Sequence, residues 1–124
     1  MQLSVNFTSE EFACNCGCGF DDIQQAIVDK LQNMRYELKV PIRINSGCRC
    51  AKHNKDVGGA PSSFHVLGRA ADISSPGVSL ATIYEVAKSV GFHGLGLGNN
   101  FLHVDNRDDF LTWHYDANNR PVYV

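Results

Sequence analysis

The sequence predicts an α+β fold: a small, mainly antiparallel sheet with one long helix packed behind it and shorter helices around it. Three features predict it. Apolar residues recur at three- and four-residue intervals from Ile23 to Leu38, the mark of a helix with one buried face. Short strand-like runs at 41–45, 70–73 and 101–105 are separated by Gly, Pro, Ser and Asn. The length, 124 residues, and a 44% hydrophobic content allow one core to form without disulfide support. A single domain over residues 1–124 is therefore expected, with residues 1–20 as a cysteine-containing N-terminal arm.

Taken in order, residues 7–12 read as a short capped turn of helix, with Thr8 or Ser9 as N-cap and Glu10 and Glu11 in an acidic first turn. Phe7 and Phe12 would pin the arm to the core. A helix of about 17 residues should begin at Asp21 or Asp22 and bury Ile23, Ala26, Ile27, Leu31, Met34 and Leu38. Residues 41–45 alternate apolar and polar side chains as a strand does, and Ser46 and Gly47 turn the chain. Residues 51–57 suit a short helix stopped by Gly58 and Gly59. A second strand follows at 70–73. Ser79 caps a helix to about Val90, with Leu80, Ile83, Val86, Ala87 and Val90 inward. Leu95, Leu97 and then 101–105 suggest two antiparallel strands joined near residues 98–100. The tail, with Leu111, Trp113, Tyr115, Val122 and Tyr123, adds one strand or a covering segment.

Charge and hydropathy exclude several function classes. The formal net charge is -2, and no long basic run offers a surface to nucleic acid. No apolar stretch approaches the roughly 20 residues that span a bilayer, so no membrane insertion is expected. The first residues lack the basic and apolar regions of a signal peptide, so synthesis as a cytoplasmic product is expected. Five cysteines are many for this length. Cys14, Cys16 and Cys18 alternate near the N-terminus, and Cys48 and Cys50 flank Arg49. They read either as a second, structural metal site closed by thiolates from both clusters or as reduced thiols in a tight turn. No Cys-x-x-Cys pair supports a redox module.

The chemistry concentrates elsewhere. His65, Asp72 and His103 together offer two imidazoles and a carboxylate, a three-ligand set for one catalytic zinc ion with a position left for water. His103 and Asp105 lie two apart on a predicted strand and so share a face. Arg49 could grip a substrate carboxylate or steady a developing oxyanion through its planar fork. Against this, a histidine read alone beside an apolar strand is more often a hydrogen-bonded structural residue than a ligand. His53, His93 and His114 show no carboxylate pattern and are taken as surface or structural residues.

Ser63, His65, Gly68, Ala70 and Asp72 match every fixed position of the signature Ser-x-His-x-x-Gly-x-Ala-x-Asp. In this the chain resembles the family of zinc D-Ala-D-Ala carboxypeptidases and dipeptidases. The resemblance extends to Ser46–Gly47–x–Arg49, to Gly58–Gly59–Ala60, to His103–Val104–Asp105 and to Glu11–Phe12 with the cysteine-glycine run. It implies the fold that these peptidases share with the hedgehog signalling domain, with zinc on His65, Asp72 and His103. It also implies Arg49 as a substrate or transition-state contact and Ser63 as a substrate hydrogen-bonding group. One departure stands out. Many members carry an acidic general base three residues before the last zinc histidine, and here that position holds Asn100. Asp105 is the substitute candidate, with His93 behind it; a hydrogen bond to a ligand or at the strand end is its alternative role.

The resemblance implies a monomeric zinc metallopeptidase acting on peptidoglycan stem or cross-link peptides at bonds next to D-amino acids. A phage lysin, released through a holin or carried in the virion, fits that reading. The competing expectation is a non-catalytic, zinc-stabilised binding module of the same fold, which Asn100 favours and which Arg49 and Ser63 oppose.

Overall fold

The structure, a computed structural model, describes residues 1–123. Val124, the last residue of the expected domain, lies outside the described residues. The expected α+β class is borne out. Among the described residues, three α-helices, α1 (Gln25–Leu38), α2 (Ala51–Asp56) and α3 (Leu80–Ser89), accompany six strands. The strands are β1 (Arg43–Ser46), β2 (Ala70–Ser74), β3 (Gly94–Leu97), β4 (Leu102–Asp105), β5 (Leu111–Tyr115) and β6 (Pro121–Val122). They form one sheet in the order β1-β2-β4-β3-β5-β6. Every pairing is antiparallel except β3 with β5.

Period-two alternation divides this sheet into two unlike faces. Ala71, Ile73, Leu95, Leu102 and Val104 point toward the helices and are fully buried with Ile27, Val28, Leu31 and Met34 of α1 and Ile83 and Ala87 of α3. Each such Ile, Leu or Met contributes about 1.5–3 kcal/mol of burial free energy. Ala70, Asp72, His103 and Asp105 point the other way. The core is thus a layer between helices and sheet, and the polar residues singled out above share the opposite surface.

The expected elements are present, with three differences. Helix α1 begins at Gln25 rather than Asp21 or Asp22, because the Gln24 N–H donates to the Gly68 carbonyl at 2.8 Å and residues 21–24 stay outside the helix, with Gln24 extended. On α1, Val28 is buried where Ala26 was expected. The tail supplies two strands, and β5 enters the sheet parallel to β3, across a connection that periodicity alone does not pair. Elsewhere the local signals hold. Ser79 caps α3 by accepting the Thr82 N–H at 3.2 Å. Residues 98–101 close the β3–β4 hairpin, with the Gly98 N–H on the Phe101 carbonyl at 2.9 Å. Around the 3-10 turn Ser9–Phe12, the Thr8 N–H donates to the Glu11 carboxylate at 2.7 Å, and Phe7 and Phe12 are buried as the arm's anchors.

Candidate metal centre

Asp72 on β2 and His103 on β4 stand directly opposite each other in the antiparallel register. His65 reaches the same point from the loop before β2, which turns at Gly68 with φ +67°. Asp72 Oδ1 lies 3.2 Å from His65 Nε2 and 3.1 Å from His103 Nδ1. The two imidazole rings meet edge to face with centroids 5.1 Å apart. Both histidines are buried.

The outward nitrogens decide what these rings can do. His65 Nδ1–H donates to the Gly47 carbonyl at 2.7 Å, and His103 Nε2–H donates to Asp105 Oδ2 at 2.7 Å. With those protons held, each neutral imidazole turns a lone pair toward Asp72. Three acceptor atoms therefore converge on one point, an arrangement that a cation relieves. A tetrahedral zinc with nitrogen and oxygen ligands needs ligand-to-ligand separations of about 3.3 Å, close to those observed. The donor set fits the ion.

The remaining contacts hold this set in place. Arg49 donates from Nη2 to Asp72 Oδ2 at 3.0 Å, from Nε to Ser46 Oγ at 3.1 Å and from Nη1 to Asn54 Oδ1 at 3.4 Å. Asp105, fully buried, receives a two-pronged bond from Arg107 at 2.8 and 2.7 Å. Burial alone would raise the Asp72 carboxyl, but positive charge on the His65 and His103 rings, which protons supply where no cation is held, outweighs it and holds the group well below the usual carboxylate range. Asp105 is likewise held low against its burial, by Arg107 first and His103 next. Burial opposes charge on His103, yet with a proton on Nδ1 in place of a cation its bonds to Asp105 and Asp72 leave it raised above the ordinary imidazole value. Small residues make room for this arrangement. A Cβ on Gly94 would collide with the Asp105 carboxylate, and one on Gly96 with the Trp113 indole.

The site opens into a cleft of about 560 Å³. Arg49, Ser63, His65, Asp72 and His103 all line it, so the structure brings these sequence-singled residues together. Ser63 Oγ also accepts the His65 N–H at 3.2 Å and so shapes the loop beneath the ring. Asp105 has another place. Its oxygens face His103 Nε2 and Arg107 on the side of the imidazole away from Asp72, and it does not line the cleft. Asn100 is exposed in the hairpin, and His93 is exposed with Nδ1 on the Arg107 and Asp108 carbonyls. Cleft residues not anticipated from the sequence include Phe64, Phe101, Arg107, Trp113 and Tyr115. Arg107 lies over the Phe64 and Trp113 rings at 4.8 and 4.7 Å. The alternation of Trp113 and Tyr115 on β5 was the available signal for two of them.

The cysteines also divide. Cys14, Cys16, Cys18 and Cys50 cluster, whereas Cys48 is buried in the hydrophobic core apart from them, which corrects the expectation of a five-cysteine site.

Comparison with known proteins agrees with this geometry. Residues 5–105 match the model of the peptidase M15 family. A zinc D-Ala-D-Ala carboxypeptidase of Streptomyces albus G is 36% identical over a match that takes in 84% of this chain. That match spans 47% of the Streptomyces protein, so the chain covers about half the length of the curated relative it resembles.

Proposed function

The chain belongs to the peptidase M15 family, and on that premise we propose that it is a zinc-dependent peptidase hydrolysing peptidoglycan stem or cross-link peptides at bonds next to D-amino acids. The observation that carries this reading is the convergence of His65 Nε2, His103 Nδ1 and Asp72 Oδ1 at the floor of a cleft, with both outward nitrogens already satisfied. Zinc held by these three residues would supply Lewis acidity toward a water molecule and the scissile carbonyl. Around it, Arg49 sits where a guanidinium can meet a peptide carboxylate or the charge that develops on the attacked carbonyl. Phe64, Phe101 and Trp113 wall the cleft and exclude water from the bound peptide. Asp105 orients His103 and fixes its tautomer, the part of a positioning residue. A cell-wall substrate places the action outside the cytoplasm, and a phage lysin is the setting we propose for it.

One observation favours a second reading, a zinc-stabilised module that binds cell-wall peptides without cutting them. Among the described residues, no carboxylate other than Asp72 lines the cleft, so no acidic side chain stands free to take a proton from water. Incubation with purified muropeptides and with synthetic peptides ending in D-Ala-D-Ala or L-Ala-L-Ala, followed by mass spectrometry, separates the two. The peptidase releases a product from the D-configured substrates, stops with a chelator and resumes with zinc. Zinc-loaded protein that binds these peptides and leaves them intact sinks the enzyme reading.

A further inference from the structure

We propose that Cys14, Cys16, Cys18 and Cys50 form a second metal site, a four-thiolate cage for one structural zinc ion that ties the N-terminal arm to the loop carrying Arg49. The four sulfurs all lie within 4.8 Å of one another. Cys14 and Cys16 are separated by 3.4 Å, Cys16 and Cys50 by 3.6 Å, and Cys14 and Cys50 by 3.9 Å. A tetrahedral zinc at about 2.3 Å from each sulfur requires separations of about 3.8 Å. The observed triangle is of that size, with Cys18 as the fourth corner.

Local backbone geometry explains how so tight a spacing can work. Alternate residues of an extended strand would point one way but stand too far apart along the chain to share an ion. Here the loop is bent. Gly17 and Gly19 adopt φ of +83° and +90°, and the Gly17 N–H closes a turn on the Cys14 carbonyl at 3.1 Å. The Cys14 N–H donates to the Phe20 carbonyl at 2.7 Å and closes the base of the loop. Backbone donors also face the sulfurs. The Cys50 N–H points to Cys14 Sγ and the His53 N–H to Cys50 Sγ, both at 3.4 Å, as suits thiolates that carry charge. Four soft sulfur ligands in tetrahedral array select zinc over hard cations. Binding sends the thiol protons to solvent and leaves a cage of double negative charge.

The cage has a structural consequence for the cleft. Arg49 lies between Cys48, whose side chain is in the core and whose N–H is held by the Phe12 carbonyl at 2.8 Å, and Cys50, a corner of the cage. Its own N–H donates to the His65 carbonyl at 3.1 Å. An ion on the four thiolates therefore fixes both flanks of the residue that bonds Asp72.

Metal content of the full chain, purified under reducing conditions and measured by native mass spectrometry and elemental analysis, tests this independently of any peptidase activity. The expected result is about two zinc ions per chain, falling to about one in a Cys16→Ser/Cys18→Ser variant and to about one in a His65→Ala/His103→Ala variant. In the histidine variant, replacing zinc by cobalt(II) should give the intense near-ultraviolet thiolate-to-cobalt band. Cys18→His, which keeps a zinc ligand at that corner, should retain the ion and guards against a serine variant that fails to fold. A mass lower by the hydrogens lost to disulfides, iron in place of zinc, or a cobalt spectrum without thiolate bands would each overturn the assignment.

Discussion

His103 donates its Nε2–H to Asp105 Oδ2, 2.7 Å away and two residues further along the same strand, and so turns its Nδ1 lone pair toward Asp72. Asp105→Asn should weaken zinc binding about 10–100-fold, the usual effect of losing a carboxylate behind a metal-bound imidazole. Competition against a chromophoric chelator measures it. Turnover should recover at saturating zinc. If instead zinc binds with native affinity and turnover is lost, Asp105 acts on the reacting water as a base.

Arg49 makes three side-chain bonds at once, to Ser46, Asn54 and Asp72, from one planar fork. Arg49→Lys should not restore what Arg49→Ala loses, because an ammonium cannot span that geometry. Both variants should retain zinc while kcat/KM on a D-Ala-D-Ala peptide falls about 10²–10³-fold. Steady-state kinetics at saturating zinc reads the outcome, and a rate within a few fold of the parent protein would remove Arg49 from the reaction.

Gly96 leaves the space that the Trp113 indole occupies. Gly96→Ala should cost about 1–3 kcal/mol through overpacking, seen as a lower urea midpoint. Trp113 is the single tryptophan of the chain, so its fluorescence reports directly whether the indole has been displaced. An unchanged midpoint and spectrum would mean that the β3–β5 pair can part without penalty.

Burial pushes the Tyr115 hydroxyl up to about 12, and the nearby Asp72 charge adds to the rise. A folded value above the ordinary 10.0 means that the group favours the fold fully below pH 10 and loses that contribution as pH climbs through about 12. Urea unfolding at about pH 9 and about pH 11 should therefore show a larger loss of stability in the parent protein than in Tyr115→Phe. Equal losses would place the Tyr115 hydroxyl in solvent.

Much of the architecture was legible because helix and strand periods are local properties. The burial of Ile27, Leu31 and Met34 and the shared face of His103 and Asp105 follow from the 3.6- and 2-residue repeats. The start of α1 was not legible, since the Gln24 N–H is claimed by Gly68, a residue 44 positions away that no local pattern connects to it. The pairing of β5 with β3 was hidden for the same reason. Cys48 and Cys50, two residues apart, look alike in the sequence and end in different places, one in the core and one in the sulfur cluster.

By itself the sequence determined the kind of fold, the donor types and their order along the chain, because residue chemistry and short-range spacing are written there directly. Tertiary structure alone decided which nitrogen of each histidine faces Asp72, that Asp105 stands behind His103 beside Arg107, and which four of five cysteines meet. Those outcomes depend on directions in space. A tautomer is set by whichever acceptor lies behind the ring, and here Gly47 and Asp105 reach those places only after β1, β2 and β4 have come together.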